Sequence, residues 1–459
     1  MSITTLESLA QGPPAEHLLG HLGAAEPTWE HEPQWLRTLR QRAADAFRRY
    51  GMPTNRLELW KHTNPAVVGR TAYVPAPTER PPHVQLADLG ALALPSLENA
   101  LRLVFVNGRF AQELSDSLDN LAGLEVQPLS SAFRAEQALP LAELATFDDD
   151  PAYSLTALNT ALCTDGLYVR IKRNQDVRST PLHLLHISVP SETPQAVYPR
   201  VLVVAEESSA ATLIENHVVA GFDGAQPVLN CNVVEVDVHP NAQLRHLKLQ
   251  HETPHEHHIA RTEANVQRDA TYRNHTISFG SPLTRNDHGA RLAGENAHAQ
   301  LHGLTVLDGK QHVDNHTRLD HAAPQCTADE LYAHVLDGAA SAVFYGRIIV
   351  RPGAQQTDAV QNNRTVLLSD KAKIDAMPQL EIYADDVKCT HGATSGPLDA
   401  EAMYYLRSRG LSESNARSLL TFAFAADIFG GIELEPVHAL IERTMFDRLD
   451  MQRHREELP

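Results

Sequence analysis

Between Thr28 and Phe47 apolar residues recur at three- and four-residue steps, at Trp35, Leu36, Leu39, Ala43 and Phe47. That spacing puts them on one face of a helix, and Gly51 with Pro53 ends it. Pro75, Pro77, Pro81 and Pro82 predict an extended linker. Leu101 to Val106 is a short apolar strand running into the turn signal Asn107-Gly108. Asp116 to Phe147 reads as loops and short helices.

From about Ser154 to Ser395 the texture changes to short β-rich runs between turn residues. Strands are predicted at Leu167 to Ile171, Val201 to Val204, Val233 to Val238, Ala342 to Val350 and Thr365 to Leu368. A weak repeat marks strand starts at Asn241-Ala242, Asp269-Ala270 and Asn296-Ala297, at spacings of 28 and 27 residues. Units this short cannot bury a face alone, so they must stack as a solenoid. Strands without intervening helices fit a β-helix or a sandwich better than a βαβ sheet.

After Pro397 the helical period returns. Gly410 reads as a C-cap, Ser412 as an N-cap, and Ala416 to Phe429 as a helix ended by Gly430-Gly431. Pro436 suits the start of another helix, whose stripe is Val437, Leu440, Ile441, Met445 and Leu449. These helices are expected to cover the end of the β region and to leave a face outward for a partner.

The chain has 459 residues, enough for two or three domains with a sizeable core. Its formal charge of −18 argues against unspecific nucleic-acid binding, which needs clustered Lys and Arg. The longest apolar run, Leu419 to Ile432, is too short to span a bilayer, and no signal-peptide pattern opens the sequence. Four cysteines without a CxxC argue against a disulfide scaffold or a closed zinc knuckle, so a reducing, cytoplasmic setting is expected. No phosphate-binding glycine loop, dinucleotide fingerprint or GxSxG elbow occurs.

Three places carry candidate metal chemistry. Cys389 and His391 stand two residues apart in a predicted strand, so they share a face. Thiolate and imidazole suit soft or borderline metals, but two ligands leave a site open. His312, His316, His321 and Cys326 form a second group around Asp314; its odd steps change strand face, which favours alternating solenoid positions. His251-Glu252-Thr253-Pro254-His255 matches HExxH, but Pro254 denies it the helix it needs. Gly346-Arg347 reads as a turn at a strand edge.

Several blocks resemble the SufB/SufD family of iron–sulfur cluster assembly proteins. They are Gly51-Met52-Pro53-Thr54-Asn55-Arg56-Leu57-Glu58-Leu59-Trp60-Lys61, Gln361 to Arg364, Leu367 to Asp370, Pro378 to Ile382 and Ala384 to Cys389. Lys388-Cys389-Thr390-His391 stands where the SufB branch has a glutamate-rich segment, so the resemblance is to the SufD branch. It implies a mainly β fold: a right-handed parallel β-helix at 154–398 between an N-terminal helical and mixed domain at 1–153 and a C-terminal helical domain at 399–459. It also implies a non-enzymatic scaffold that pairs with SufB through the β-helix and carries the SufC ATPase on its C-terminal helices. His391, and after it Cys389, match the family positions implicated at the SufB–SufD interface. They would hold transient iron or a nascent cluster, with no cofactor bound tightly in the isolated chain. Arg417, Leu420 and Phe424 are the expected ATPase-docking positions. A homodimer of the isolated chain is a further expectation. The alternatives are a stand-alone metal-dependent enzyme using His312, His316 and His321, and a purely structural subunit.

Overall fold

The computed structural model describes residues 15–448, apart from 78–83, 95, 98, 120, 134–149, 221–225 and 252–255. Its first strands are β1 (Val74–Pro75), β2 (Leu101–Val106), β3 (Arg109–Phe110), β4 (Leu124–Pro128) and β5 (Gly166–Ile171). There follow β6 (Leu182–Ser188), β7 (Gln195–Val197), β8 (Arg200–Ala205), β9 (Ala210–Val219), β10 (Val228–Val238), β11 (Gln243–His251) and β12 (Glu256–Val266). The later strands are β13 (Thr271–Ser278), β14 (Leu283–Leu292), β15 (His298–Leu307), β16 (His312–His321) and β17 (Thr327–Leu336). The last are β18 (Ser341–Val350), β19 (Thr357–Leu367), β20 (Lys373–Ile382) and β21 (Val387–Gly396). The helices that matter below are α1 (Glu16–Ala25), α2 (Gln34–Tyr50), α3 (Ser154–Leu162), α4 (Ala400–Ser408), α5 (Glu413–Phe429) and α6 (Glu435–Arg448).

Successive strands alternate between two sheets. Sheet one runs β20-β18-β16-β14-β12-β10-β8-β5-β4 and sheet two β21-β19-β17-β15-β13-β11-β9-β6-β2-β3. From β5 and β6 onward neighbours pair in parallel, which is a parallel β-solenoid of about 7 turns. β2 and β4, which sequence reasoning left in the N-terminal region, are strands of these two sheets. Asn107 and Gly108 both hold positive φ between β2 and β3, the geometry of the expected hairpin turn.

The weak repeat marks one corner of the solenoid. Ser208, Asn241, Asp269, Asn296, Gln325 and Gln356 all lie at φ between 57° and 60°. The left-handed conformation turns the chain, and short polar side chains tolerate it best. Each corner amide donates to the next coil, as Asn241 does to the Arg268 carbonyl at 2.9 Å and Asp269 to that of Glu295 at 3.0 Å. The following residue points inward and is small: Ser209, Ala242, Ala270, Ala297, Cys326 and Thr357. Cys326 is therefore one rung of a packed stack.

The lumen is apolar beside this corner, with Leu213, Leu244, Ala264, Leu292, Leu301 and Ile348. Its other half is polar. Glu215, His217, Lys248, His258, Asn286, Asn315, Glu330, His334, Gln361 and Asn363 are buried there. This explains why β19 begins at Thr357 when only Thr365 to Leu368 reads as strand from sequence. Gln361 and Asn363 face the interior and mimic turn residues in an apolarity count. Gly346 and Arg347 likewise lie inside β18, pairing with Pro378 and Gln379, and form no turn.

Helices cover the outer faces. α3 is buried along its whole length between α2 and sheet one. Trp60 and Leu59 bring the N-terminal segment down on Arg285, whose guanidinium lies 4.0 Å over the Trp60 ring and donates to the Leu59 carbonyl at 2.6 Å. On sheet two, Leu247, Leu249, Ile277, Leu304 and Val335 pack under Ala425, Ile428 and Phe429 of α5 and Val437, Leu440, Ile441 and Met445 of α6. Leu449, the fifth member of the predicted stripe, lies outside the described residues. The C-terminal helices thus flank the solenoid where they were expected to cap its end. Among the described residues that end stays open, with β20 and β21 each pairing on one side only.

Candidate functional site

β21 borders β19, with Cys389 opposite Ala359 and His391 opposite Gln361. The period of two puts Cys389 and His391 on the lumen face of the final coil. Cys389 is half-buried against the lumen core, and His391 is exposed because, among the described residues, no further coil covers it. Burial, and after it the Asp358 carboxylate, push the Cys389 thiol up from its ordinary value. The thiol keeps its proton at neutral pH, so metal capture there must release one. Two ligands at an unpaired edge leave coordination positions for a second chain.

Behind this pair the polar lumen is a connected row. Gln361 donates to Glu330 at 2.8 Å, and the Thr317 hydroxyl donates to the same carboxylate. Burial pushes the Glu330 carboxyl up to about 7. Asn363 lies 3.2 Å from His334. Asn315 donates to Thr305 at 3.1 Å, and Asn286 to Asn315 at 3.3 Å and to Gln250 at 3.0 Å. Lys248 reaches Asn286 at 2.9 Å and His258 at 3.0 Å. Sequence reasoning missed this row, because its members are scattered one or two per coil and only the coiling collects them.

The second sequence candidate divides between two faces. His312 and Asp314 point outward and bind Thr63 of the N-terminal segment, at 2.9 and 2.5 Å. His316 lies 2.9 Å from Asp314 and stacks on Tyr345. His321 faces the lumen, fully buried, and Cys326 sits in the corner stack. His312, His316 and His321 therefore do not converge as a ligand set; His312 and Asp314 fasten the N-terminal segment to sheet one. The HExxH match lies almost wholly outside the described residues. His251 is the last residue of β11 and Glu256 the first of β12, while Glu252, Thr253, Pro254 and His255 lie outside the described residues.

Arg417 on α5 turns back onto its own chain, donating to the Leu368 carbonyl and lying 3.9 Å from Asp337. Phe424 is half-buried against the sheet-two cluster, and Leu420 is half-buried. The exposed apolar surface lies elsewhere. α4 contains no buried residue, with Tyr404 77% and Tyr405 57% exposed. Ile382 and Tyr383 are exposed where β20 ends. Adjacent tyrosines outside any helical stripe were the available signal for this surface.

Two family models together span most of the chain. The SufBD protein N-terminal region matches residues 24–182, and the SUF system FeS cluster assembly SufBD core domain matches residues 187–424. An iron–sulfur cluster assembly SufBD family protein of Synechocystis is 34% identical over 411 residues, 88% of this chain and 89% of that protein. The iron–sulfur cluster assembly protein SufD of Escherichia coli is 34% identical over 420 residues, 89% of this chain and 90% of that protein. That of Bacillus subtilis is 26% identical over 438 residues, 90% of this chain and 95% of that protein.

Proposed function

This chain belongs to the SufBD family of iron–sulfur cluster assembly proteins, and from that premise we propose that it is a non-catalytic scaffold subunit holding iron for a nascent cluster at an interface with a SufB-type partner. The observation that carries the reading is the open last coil. There a thiol and an imidazole of β21 stand on the lumen face of a coil whose two strands, among the described residues, have no further neighbour. Exposed edges invite another solenoid to add its strands. A partner's carboxylates or thiolates would complete the iron coordination that Cys389 and His391 begin. The same two edges favour a homodimer when the partner is absent. No described helix is long and apolar enough to cross a membrane, and work in the cytoplasm is part of the proposal.

The ATPase of the system, SufC, would dock on the C-terminal helices. Support comes from the exposed Tyr404 and Tyr405 on α4 and from the half-buried Leu420 on α5. Arg417 is spent on the solenoid and gives way to α4 as the first position to test.

The test is co-purification with SufB- and SufC-type subunits, followed by iron and sulfide analysis. His391→Ala should leave the complex assembled and lower its iron, and Cys389→Ser should do so less. Full iron loading in a well-folded His391→Ala complex would sink the site. Truncation from Ala400 onward should remove the ATPase and spare SufB pairing. ATPase retained by the folded truncation would move the docking surface to the solenoid or the N-terminal region.

A further inference from the structure

His186 of β6 and Glu215 and His217 of β9 bring their ligand atoms within 4.8 Å of one another inside the first coils. β6 and β9 are adjacent strands in register, His186 opposite His217 and Leu184 opposite Glu215. All three side chains face the lumen, at 5%, 0% and 1% exposure. This is about six strand spacings, roughly 29 Å, from β21 and the Cys389–His391 pair.

One feature asks for a ligand here. Both ring nitrogens of His217 and Nε2 of His186 lack a partner at hydrogen-bond distance among the described residues, His217 Nε2 standing 3.8 Å from the Glu215 carboxylate, a costly condition for buried polar atoms. Lys248 lies 3.0 Å from His258, whose ring stands edge-on to His217 at 4.9 Å.

We propose that His186, Glu215 and His217 bind a divalent first-row transition-metal ion in the solenoid lumen. Two imidazoles and one carboxylate form a donor set that suits Fe(II), Zn(II) and Co(II). Burial keeps both imidazoles neutral, pushing His186 and His217 down to about 3, and neutral imidazole is the ligating form. Glu215 stays ionised, held far below its usual range against its burial by His217 and His246. His246 sits 2.7 Å from Glu215 through Nε2 and 2.9 Å from the Tyr272 hydroxyl through Nδ1, the outer support that a ligating carboxylate needs. Metal–nitrogen bonds near 2 Å require the three ligand atoms to draw together by up to about 1.5 Å, and one of the two imidazoles, stacked at 4.6 Å and 8° from parallel, to tilt its ring plane toward the ion. The ion would tie β6 to β9 at the start of the stack. This site does not depend on the interface reading, since it uses none of its residues.

Entry to so closed a site requires folding around the ion, so the full chain is refolded with Co(II) and stripped with chelator. The expected result is about one Co(II) per folded chain, with visible ligand-field absorption. His391→Ala should keep that cobalt. His217→Ala and Glu215→Gln should lose it while keeping the wild-type circular dichroism. No retained cobalt in the wild type, or undiminished cobalt in either folded variant, overturns the site. If both variants fail to fold, the wild type decides: a higher melting temperature after refolding with Co(II) but not Mg(II) supports it, and no rise overturns it. Parallel refolding with Fe(II) and Zn(II) identifies which ion displaces cobalt.

Discussion

His217 in β9 and His391 in β21 both face the lumen of the same sheet, and their surroundings differ completely. His217 is 1% exposed, ringed by His186, His258 and Glu215, while His391 is open to solvent. In the enclosed coils each strand has neighbours on both sides and the lumen-facing groups are buried, so burial governs the protonation of these histidines. In the final coil the same geometry lacks the next turn, so Cys389 and His391 remain available to a second chain. The difference shows that position along the stack, more than residue type, separates internal structure from outward chemistry.

Acid should break this contrast most strongly. Burial lowers His183, His186, His217, His251 and His275 to about 3, against an ordinary value of 6.5. The unfolded chain therefore binds more protons as pH falls, and stability present above 6.5 is lost below it. Each such histidine should cost about 2 kcal/mol by pH 5. Urea unfolding between pH 7.5 and 5 should show the midpoint dropping steeply, and a flat profile would contradict burial of these rings.

Glu235 tests an enclosed ion pair. Arg200, 2% exposed, donates to both its carboxylate oxygens at 2.9 and 2.8 Å and also to Asn159 and Thr160. Glu235→Ala leaves a buried guanidinium without its anion and should cost about 3–5 kcal/mol by chemical denaturation. A loss below about 1 kcal/mol would mean that water reaches the pair.

Glu330 sharpens the comparison from the opposite sign. Its folded value of about 7 lies above the ordinary 4.5, so the folded state holds the proton longer. Stability from this group is full below 4.5 and falls as pH rises to 7. Glu330→Gln should remove that fall and gain on the order of 2–3 kcal/mol over wild type at pH 8. Equal pH profiles for the two proteins would refute it.

The smallest effect compares two glycines. A Cβ on Gly303 would collide with the Tyr332 ring inside the lumen, whereas one on Gly392 of β21 meets only Asn362 Oδ1 at 3.2 Å. Gly303→Ala should cost about 1–3 kcal/mol and Gly392→Ala less than about 0.5. Similar losses would mean that the terminal coil is packed like the rest.

Much of the architecture was legible locally. Asn107-Gly108, Gly410, Ser412 and the stripe from Val437 to Met445 each state their conformation through backbone freedom, capping or period. The corner residues Asn241, Asp269 and Asn296 gave the repeat because each turn of the stack needs one left-handed corner. The polar strands were the hidden part. Arg285-Asn286-Asp287-His288 in β14 and Gln361-Asn362-Asn363 in β19 look like loop, since hydropathy assumes an apolar interior and this lumen is half polar. Arg417 looked like an exposed cation because sequence does not show that α5 lies along sheet two.

The sequence by itself determined the element types, the repeat length and the same-face pairing of Cys389 with His391. These follow from dihedral preference and side-chain period, which act over a few residues. The tertiary structure decided that His312 and Asp314 brace the N-terminal segment, that Cys326 is a packing rung, and that the described helices flank the solenoid and leave its end open. It alone brought His186, Glu215 and His217 together. Those residues stand about one coil apart in sequence and become neighbours only when strand registers are set. Register comes from stacking whole coils, which no local stretch of chain encodes.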